Sequence, residues 1–378
     1  MAINLRSPYY TGTAIATTAY ATLDISIWEG SVTTPVTAQY NLRKSIVGTS
    51  TSVFFEISEL VRDYIDITFD GNYTAQNVWV KTVQTVYNSA NAVLATTPIT
   101  TIAYDSYSYF EEPNFNINLF PILITNREIF ALEDNVFRIP INTVNNPSIV
   151  FYKDGEVIAS QSFNTSLYSS EQIKYVSIYG DSVNWDTFQE RVIEDNGKYE
   201  PNACLQSFFD NYSIGAVDKI TVSANGKIET IKVNVIEECK YEPKKVTFIN
   251  RFGALQDMYF FKKSVEKMSV KKESYNANIL DANYQYNISN HTKRDFNITA
   301  NESISLSSGF LSEEYNEVFK QLMLSEKVWI TNVKEGVEQV LPINVTTSNI
   351  TYKTSLNDRL VEYTIEFENS YNVLNDIR

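Results

Sequence analysis

The dipeptide Asn225-Gly226 constrains this chain more than any other feature. It separates Asp218–Ala224 from Lys227–Val235, two runs in which apolar and polar residues alternate. A two-residue hairpin loop of type I′ needs positive φ at both central positions, and Asn-Gly meets that need at least cost. The pattern predicts an antiparallel hairpin. Lys153-Asp154-Gly155, between Ser148–Tyr152 and Glu156–Ser160, predicts a second.

Alternation of period two recurs along the chain. From Tyr20 to Glu29, Leu23, Ile25 and Ile27 point one way and Asp24, Ser26 and Trp28 the other, with Gly30 as the turn. Ser52–Glu56 and Asn77–Tyr87 read similarly. So does Val361–Phe367, where Glu362, Thr364 and Glu366 make a wet face. The chain has 25 Tyr and 21 Phe, residues that suit a pleated, half-buried surface, so the fold class is mainly β.

The chain has 378 residues, and at roughly 100–200 residues per domain two to three domains are expected. Residues 1–112 read as an Ig/fibronectin-like β-sandwich domain, from strands at about ten-residue spacing, with one short helix at 57–65 capped by Ser58. Residues 106–116, SYSYFEEPNFN, are polar, aromatic and broken by Pro113, and read as a linker or as aromatics packed against a neighbour. Residues 113–240 form a second β-rich domain, whose irregular segment 181–213 holds Trp185 and Cys204. Residues 241–378 form a C-terminal antiparallel β domain with one packed amphipathic helix. That helix is expected over Ser312–Leu324, because Leu311, Tyr315, Val318, Phe319 and Leu322 share a face and Ser312 suits its N-cap.

Most catalytic classes find no support. The one histidine, His291, lies in the polar run SNHTKRD, which excludes histidine metal clusters and leaves little scope for a His-based triad. Neither glycine-rich nucleotide motif occurs. Cys204 and Cys239 have no Cys-x-x-Cys spacing and read as reduced thiols. Asp181, Asp186 and Asp195 do not match a regular calcium loop. Glu111-Glu112 and Glu313-Glu314 are adjacent pairs, and the second suits a helix N-terminus. No enzyme activity, cofactor or metal is expected. No run approaches the ~18 apolar residues of a membrane span, and the start MAINLRSPYY does not look like a secretory signal.

The net charge of −14 argues against nucleic acid as a partner. Against this background Lys240–Lys272 carries nine cations and three acids. Within it, Lys244, Lys245, Arg251, Lys262, Lys263 and Lys267 are the candidate interface residues. A basic band on an acidic protein fits contact between copies or docking on an acidic partner. It also fits lysines that guard an exposed strand edge.

The run YEPKKVTFINRFGALQDMYFFKKSVEKMSV resembles a stretch of virion structural proteins of tailed phages that infect Bacteroidetes. The runs SLSSGFLSEEYNEVFKQLMLSEKVWI and SLNDRLVEYTIEFENSYN resemble the same family, as do INLRSPYY and FEISELVRDYI near the start. The resemblance covers both ends and much of the third segment but little of the middle. It implies a non-enzymatic part of the tail, baseplate or neck, assembled in the host cytoplasm from copies of itself and other virion structural proteins. It carries over no catalytic residues. Two alternatives stay open. One is a receptor- or carbohydrate-binding module taking a host-surface glycan, with Trp185 or Trp28 as stacking residues. The other is a capsid or collar decoration protein.

Overall fold

The computed structural model describes residues 2–30, 35, 37–46, 52–74, 76–132, 136–162, 173–179, 217–224, 226–236, 240–334, 337–351 and 360–374. Trp185, Cys204, Cys239, Asn225 and the aspartates 181, 186 and 195 lie outside them. The fold is mainly β and multidomain, with several sheets and two α-helices among the described residues.

Where three consecutive domains are expected, the chain forms two compact units. Unit 1 comprises 1–237, 247–258 and 314–325, and unit 2 comprises 238–246, 259–313 and 326–378. Unit 1 therefore borrows two segments from the expected third domain.

Unit 1 begins with β1 (Ile3–Asn4), β2 (Tyr10–Ala14), β3 (Tyr20–Trp28), β4 (Tyr40–Ser45), β5 (Ser52–Glu56), α1 (Ser58–Arg62), β6 (Asn77–Tyr87) and β7 (Val93–Tyr104). A five-stranded sheet has the order β1-β7-β6-β3-β4, with β1 parallel to β7. β2 and β5 pair as a separate two-stranded sheet. Leu23 and Ile25 of β3, Val78 and Val80 of β6, Val53 and Phe55 of β5, and Val61 of α1 share one buried cluster. Burying one face of each strand produces the alternation seen in the sequence. Ser58 is the first helical residue rather than the cap, and its backbone N–H donates to Glu56 Oε1 at 2.8 Å.

The second part of unit 1 holds β8 (Glu128–Leu132), β9 (Val136–Asn142), β10 (Ser148–Lys153), β11 (Glu156–Ser162), β12 (Ile173–Tyr179), β13 (Lys219–Ala224) and β14 (Lys227–Ile236). Five of them form a sheet of order β11-β10-β13-β14-β8, and β9 pairs with β12. Both expected hairpins are present. Lys153 pairs with Glu156 across Asp154 (φ +50°) and Gly155 (φ +85°), as a type I′ turn requires. Ala224 pairs with Lys227, and Gly226 has φ +73°.

The expected linker is packed rather than exposed along its length. Ser106, Tyr107 and Phe115 are buried, and the Tyr107 N–H donates to Arg251 O at 3.0 Å. Polar composition here serves hydrogen bonding within unit 1, not solvation of a tether.

β15 (Lys244–Ile249) and β16 (Leu255–Phe260) each begin in one unit and end in the other. The chain continues through β17 (Ser264–Asn276), β18 (Lys293–Ser307), β19 (Leu311–Ser312), α2 (Tyr315–Leu324), β20 (Val328–Lys334), β21 (Val337–Val345), β22 (Leu360–Val361) and β23 (Thr364–Asn369). Unit 2 is built on a seven-stranded sheet of order β16-β15-β20-β21-β23-β18-β17, to which β15 and β16 give the ends that fall in this unit. Its core includes Phe260 against Phe367, with ring centroids 5.9 Å apart, and buried Leu306, Ile343 and Ile365.

The amphipathic helix forms, with Tyr315, Val318, Phe319 and Leu322 buried as the spacing predicts. Its start and its place differ from expectation. Ser312 lies in β19, Glu314 occupies the N-cap without a side-chain cap bond, and the helix belongs to unit 1. There the Tyr315 hydroxyl donates to Glu128 O at 2.9 Å and Gln321 Nε2 donates to Thr125 Oγ1 at 3.2 Å. Helical periodicity identifies an apolar face but not what covers it.

Candidate assembly surfaces

The six basic residues singled out from the sequence do not form one band. Lys245 is 5% exposed, and the Arg251 side chain is 8% exposed. β15 is buried on both faces, so neither alternate position there reaches solvent freely. Lys244 is mostly buried, and its Nζ lies 3.0 Å from Glu242 Oε1. Lys262 is half-buried over the Phe261 ring. Lys263 and Lys267 are exposed, with Lys267 Nζ 3.4 Å from Glu366 Oε1. Of the six, only Lys263 and Lys267 serve as exposed surface cations.

Those two lead into a feature the sequence barely signals. β17 and β18 pair over their full length as a two-stranded ribbon, and β17 is the last strand of its sheet. Every residue from Val265 to Asn276 is exposed, as is every residue from Lys293 to Ile298. Met268, Val270 and Ile298 open onto solvent, and Tyr275 packs edge-on against Phe296 at 5.7 Å. A ribbon that buries neither face is marginal by itself in water. In β18 Phe296, Ile298 and Ala300 alternate with polar residues, a strand signal that the sequence reading did not use.

Residues 277–292 form the ribbon tip. Asp281 Oδ1 accepts from the N–H groups of Asn283 (2.8 Å) and Gln285 (2.9 Å), and Asn287 Oδ1 from Ser289 (2.9 Å). These Asx turns shape the tip without a core. They leave Tyr284, Tyr286 and Ile288 at 85%, 65% and 92% exposure. Asp281 is the only Asp, Glu, Lys or Arg in the tip, whereas the arms carry Lys267, Lys271, Lys272, Lys293 and Arg294 against Glu266, Glu273, Asp295 and Glu302. His291 is exposed here too.

Unit 1 holds the polar counterpart. In the turn between β15 and β16, Asn250 Nδ2 donates to Leu123 O (2.6 Å), and Gln256 Nε2 to Asn126 Oδ1 (3.2 Å). Asp257, 2% exposed, accepts at Oδ1 from the hydroxyls of Tyr73 (2.5 Å) and Thr247 (2.7 Å). The Arg138 guanidinium lies 4.2 Å from the Tyr73 ring centroid. Burial, and then the Asp257 charge, push the Tyr73 hydroxyl well above its ordinary pKa, so it stays a donor. Their hydrogen bonds to one another and to the backbone make them a folding network.

A cleft of about 470 Å³ lies nearby in unit 1, lined by residues 111–116, Leu119, Phe120, Ile124, Thr125, Arg127, Arg251 and Phe252. Phe115, Phe120 and Phe252 pack with centroids 5.3–5.7 Å apart. Arg251 pairs with Glu112 and lies over Phe115 and Tyr109 at 4.3 and 4.6 Å. Arg127 Nη2 donates to Glu229 Oε1 at 3.2 Å. The two carboxylates Glu111 and Glu112, adjacent in sequence, thus line a cleft with two arginines, which sequence spacing alone did not reveal.

Trp28 is half-buried and stacked on Trp79 at 6.4 Å, a poor platform for a sugar. Among the described residues no group of three or more His, Cys, Asp or Glu is placed to hold a metal ion, and no helix is long and apolar enough to cross a membrane. No protein-family model matches the chain, and no curated protein matches it.

Proposed function

We propose that this chain is a non-enzymatic virion structural protein of a tailed phage of the kind that infects Bacteroidetes, built into the tail, baseplate or neck as an oligomer. The ribbon β17–β18 carries the reading. A long sheet extension that buries neither of its faces is best stabilised by a partner surface. The exposed Lys263 and Lys267 at its base, on a chain of net charge −14, suit a partner of the same composition, a second copy. The stretches that resemble phage virion proteins include β15–β16, α2 and β23, which frame both units.

The test is charge reversal of Lys262, Lys263 and Lys267 to Glu in the full chain. Incorporation into particles, and rings or other oligomers seen by negative stain, are expected to fall sharply while the melting temperature barely moves. Normal copy number in particles would remove the assembly reading of these lysines. The exposed tip tyrosines also favour a second reading, stacking on a host-surface glycan. Binding on a glycan array that is lost with Tyr284→Ser would favour it.

A further inference from the structure

β17 leaves a whole strand edge open. It is the outermost strand of the unit 2 sheet, thirteen residues long, and its outer edge pairs with no strand among the described residues. Such an edge offers a row of backbone N–H and C=O groups to another strand, and shortness, proline or a bulge commonly blunts it. β17 is long and contains no proline. The register irregularity of the ribbon falls on β18, where Asn297 and Ile298 stand between the partners of Lys271 and Glu273, and Asn297 takes φ +48°. The extra residue thus sits in the inner strand and leaves the outer edge regular. Lysine is the remaining guard of an edge. Lys267 Nζ, however, lies 3.4 Å from Glu366 Oε1, and Lys272 Nζ lies 2.5 Å from Asp295 Oδ2.

The sequence of β17 is complementary to its own reverse. Aligning Ser264 of one copy antiparallel with Asn276 of another pairs all thirteen residues. That register sets Lys267 against Glu273 twice, Val265 against Tyr275 twice, and Val270 against itself on the two-fold axis. No like charges meet. A slip of two residues one way sets Lys267 against Lys271, and a slip of two the other way sets Lys271 against its own copy. Like charges directly opposite are destabilising. A slip of one residue is not open to the pair, because it opposes a residue whose backbone groups point outward to one whose groups point inward. Charge and length therefore select the same register. It also brings together Val265, Met268, Val270 and Tyr275, all exposed in the single chain. We infer that two copies of the chain pair through β17 across a two-fold axis at Val270, joining their unit 2 sheets into one. The inference rests on the self-assembly reading and adds the surface, the symmetry and the register. The contact is isologous, so it closes at a dimer, and any larger assembly uses a second interface.

A charge swap tests it. Sedimentation velocity over a concentration series would compare the native full chain, Lys267→Glu, Glu273→Lys and the double variant. Both side chains are exposed, so folding is little affected. Each single variant turns both opposite-charge pairs into like-charge pairs, and is expected to dimerise at least about tenfold more weakly than the native chain. The double variant restores both pairs with the charges exchanged, and is expected to dimerise like the native chain. An equimolar mixture of the two single variants also has two opposite-charge pairs per heterodimer, and is expected to associate where neither does alone. Folded single variants that associate like the native chain overturn the β17 pairing and leave self-assembly standing, as does a mixture that fails to recover. A native chain that stays monomeric throughout removes the self-assembly reading and this inference with it. Should a variant misfold, hydrogen exchange of the native chain above and below its association concentration decides. Slower exchange across residues 264–276 in the associated sample supports the pairing. Protection gained only elsewhere overturns it.

Discussion

Tyr73 and Asp257 are 184 positions apart in sequence and share a hydrogen bond of 2.5 Å. Removing the Tyr73 hydroxyl leaves Asp257 with Thr247 alone at Oδ1, and Tyr73→Phe is expected to cost about 1–3 kcal/mol at pH 8. The same residue sets an alkaline limit. The Tyr73 and Tyr315 hydroxyls are raised above 10.0 chiefly by burial, so the unfolded chain loses these protons first as pH rises. Below the unfolded value both states hold the proton and stability is flat in pH. Above it, stability should fall by up to ~1.4 kcal/mol per pH unit for each tyrosine. Urea melts from pH 8 to pH 11 would show the fall beginning near pH 10, shallower in Tyr73→Phe. An identical slope in the variant would show that Tyr73 is not one of the groups responsible. None of this was legible in the run L-Q-D, where Asp257 is one acid among lysines. Burial of Arg251 was hidden for the same reason, since its partner Glu112 lies 139 positions away.

Local elements were legible where their cause is local. The hairpins at 148–162 and 219–236 follow from turn residues that accept positive φ and from one buried face per strand. The β15–β16 turn has a tertiary reason for its glycine. Gly253 has φ +74°, and a Cβ there would lie 3.0 Å from Tyr104 Cβ and 3.2 Å from the Asp105 backbone. Gly155 has φ +85° with nothing within 4 Å of that position. Gly253→Ala is therefore expected to cost about 2–4 kcal/mol, combining backbone strain with overpacking. Gly155→Ala should cost only the strain, about 1–2 kcal/mol. Thermal melts of the two variants check the difference, and equal losses would show that the Tyr104 wall yields. The ribbon was missed although Phe296, Ile298, Ala300, Ile304 and Leu306 alternate along β18, because an alternating run does not say whether its apolar face will be covered.

At the scale of the molecule, the expected boundary at residue 240 cuts through unit 1. Segments 247–258 and 314–325 supply Phe248, Phe252, Leu255, Val318, Phe319 and Leu322, all at most 2% exposed. At about 2 kcal/mol for each buried side chain, their loss is comparable with the ~5–15 kcal/mol stability of a whole domain. A fragment of residues 1–240 is thus expected to lack cooperative unfolding and near-ultraviolet circular dichroism, and a cooperatively folding fragment would refute the shared unit. By itself the sequence determined the β class, two hairpins, most strand positions and the apolar face of α2. Each of these follows from turn stereochemistry or side-chain period within about ten residues. The tertiary structure alone decided that α2 and the β15–β16 turn complete unit 1, that Arg251 is buried in a cleft, and that β17–β18 stands uncovered. Those outcomes depend on packing partners up to about two hundred positions away, and a local pattern is the same whichever partner covers it.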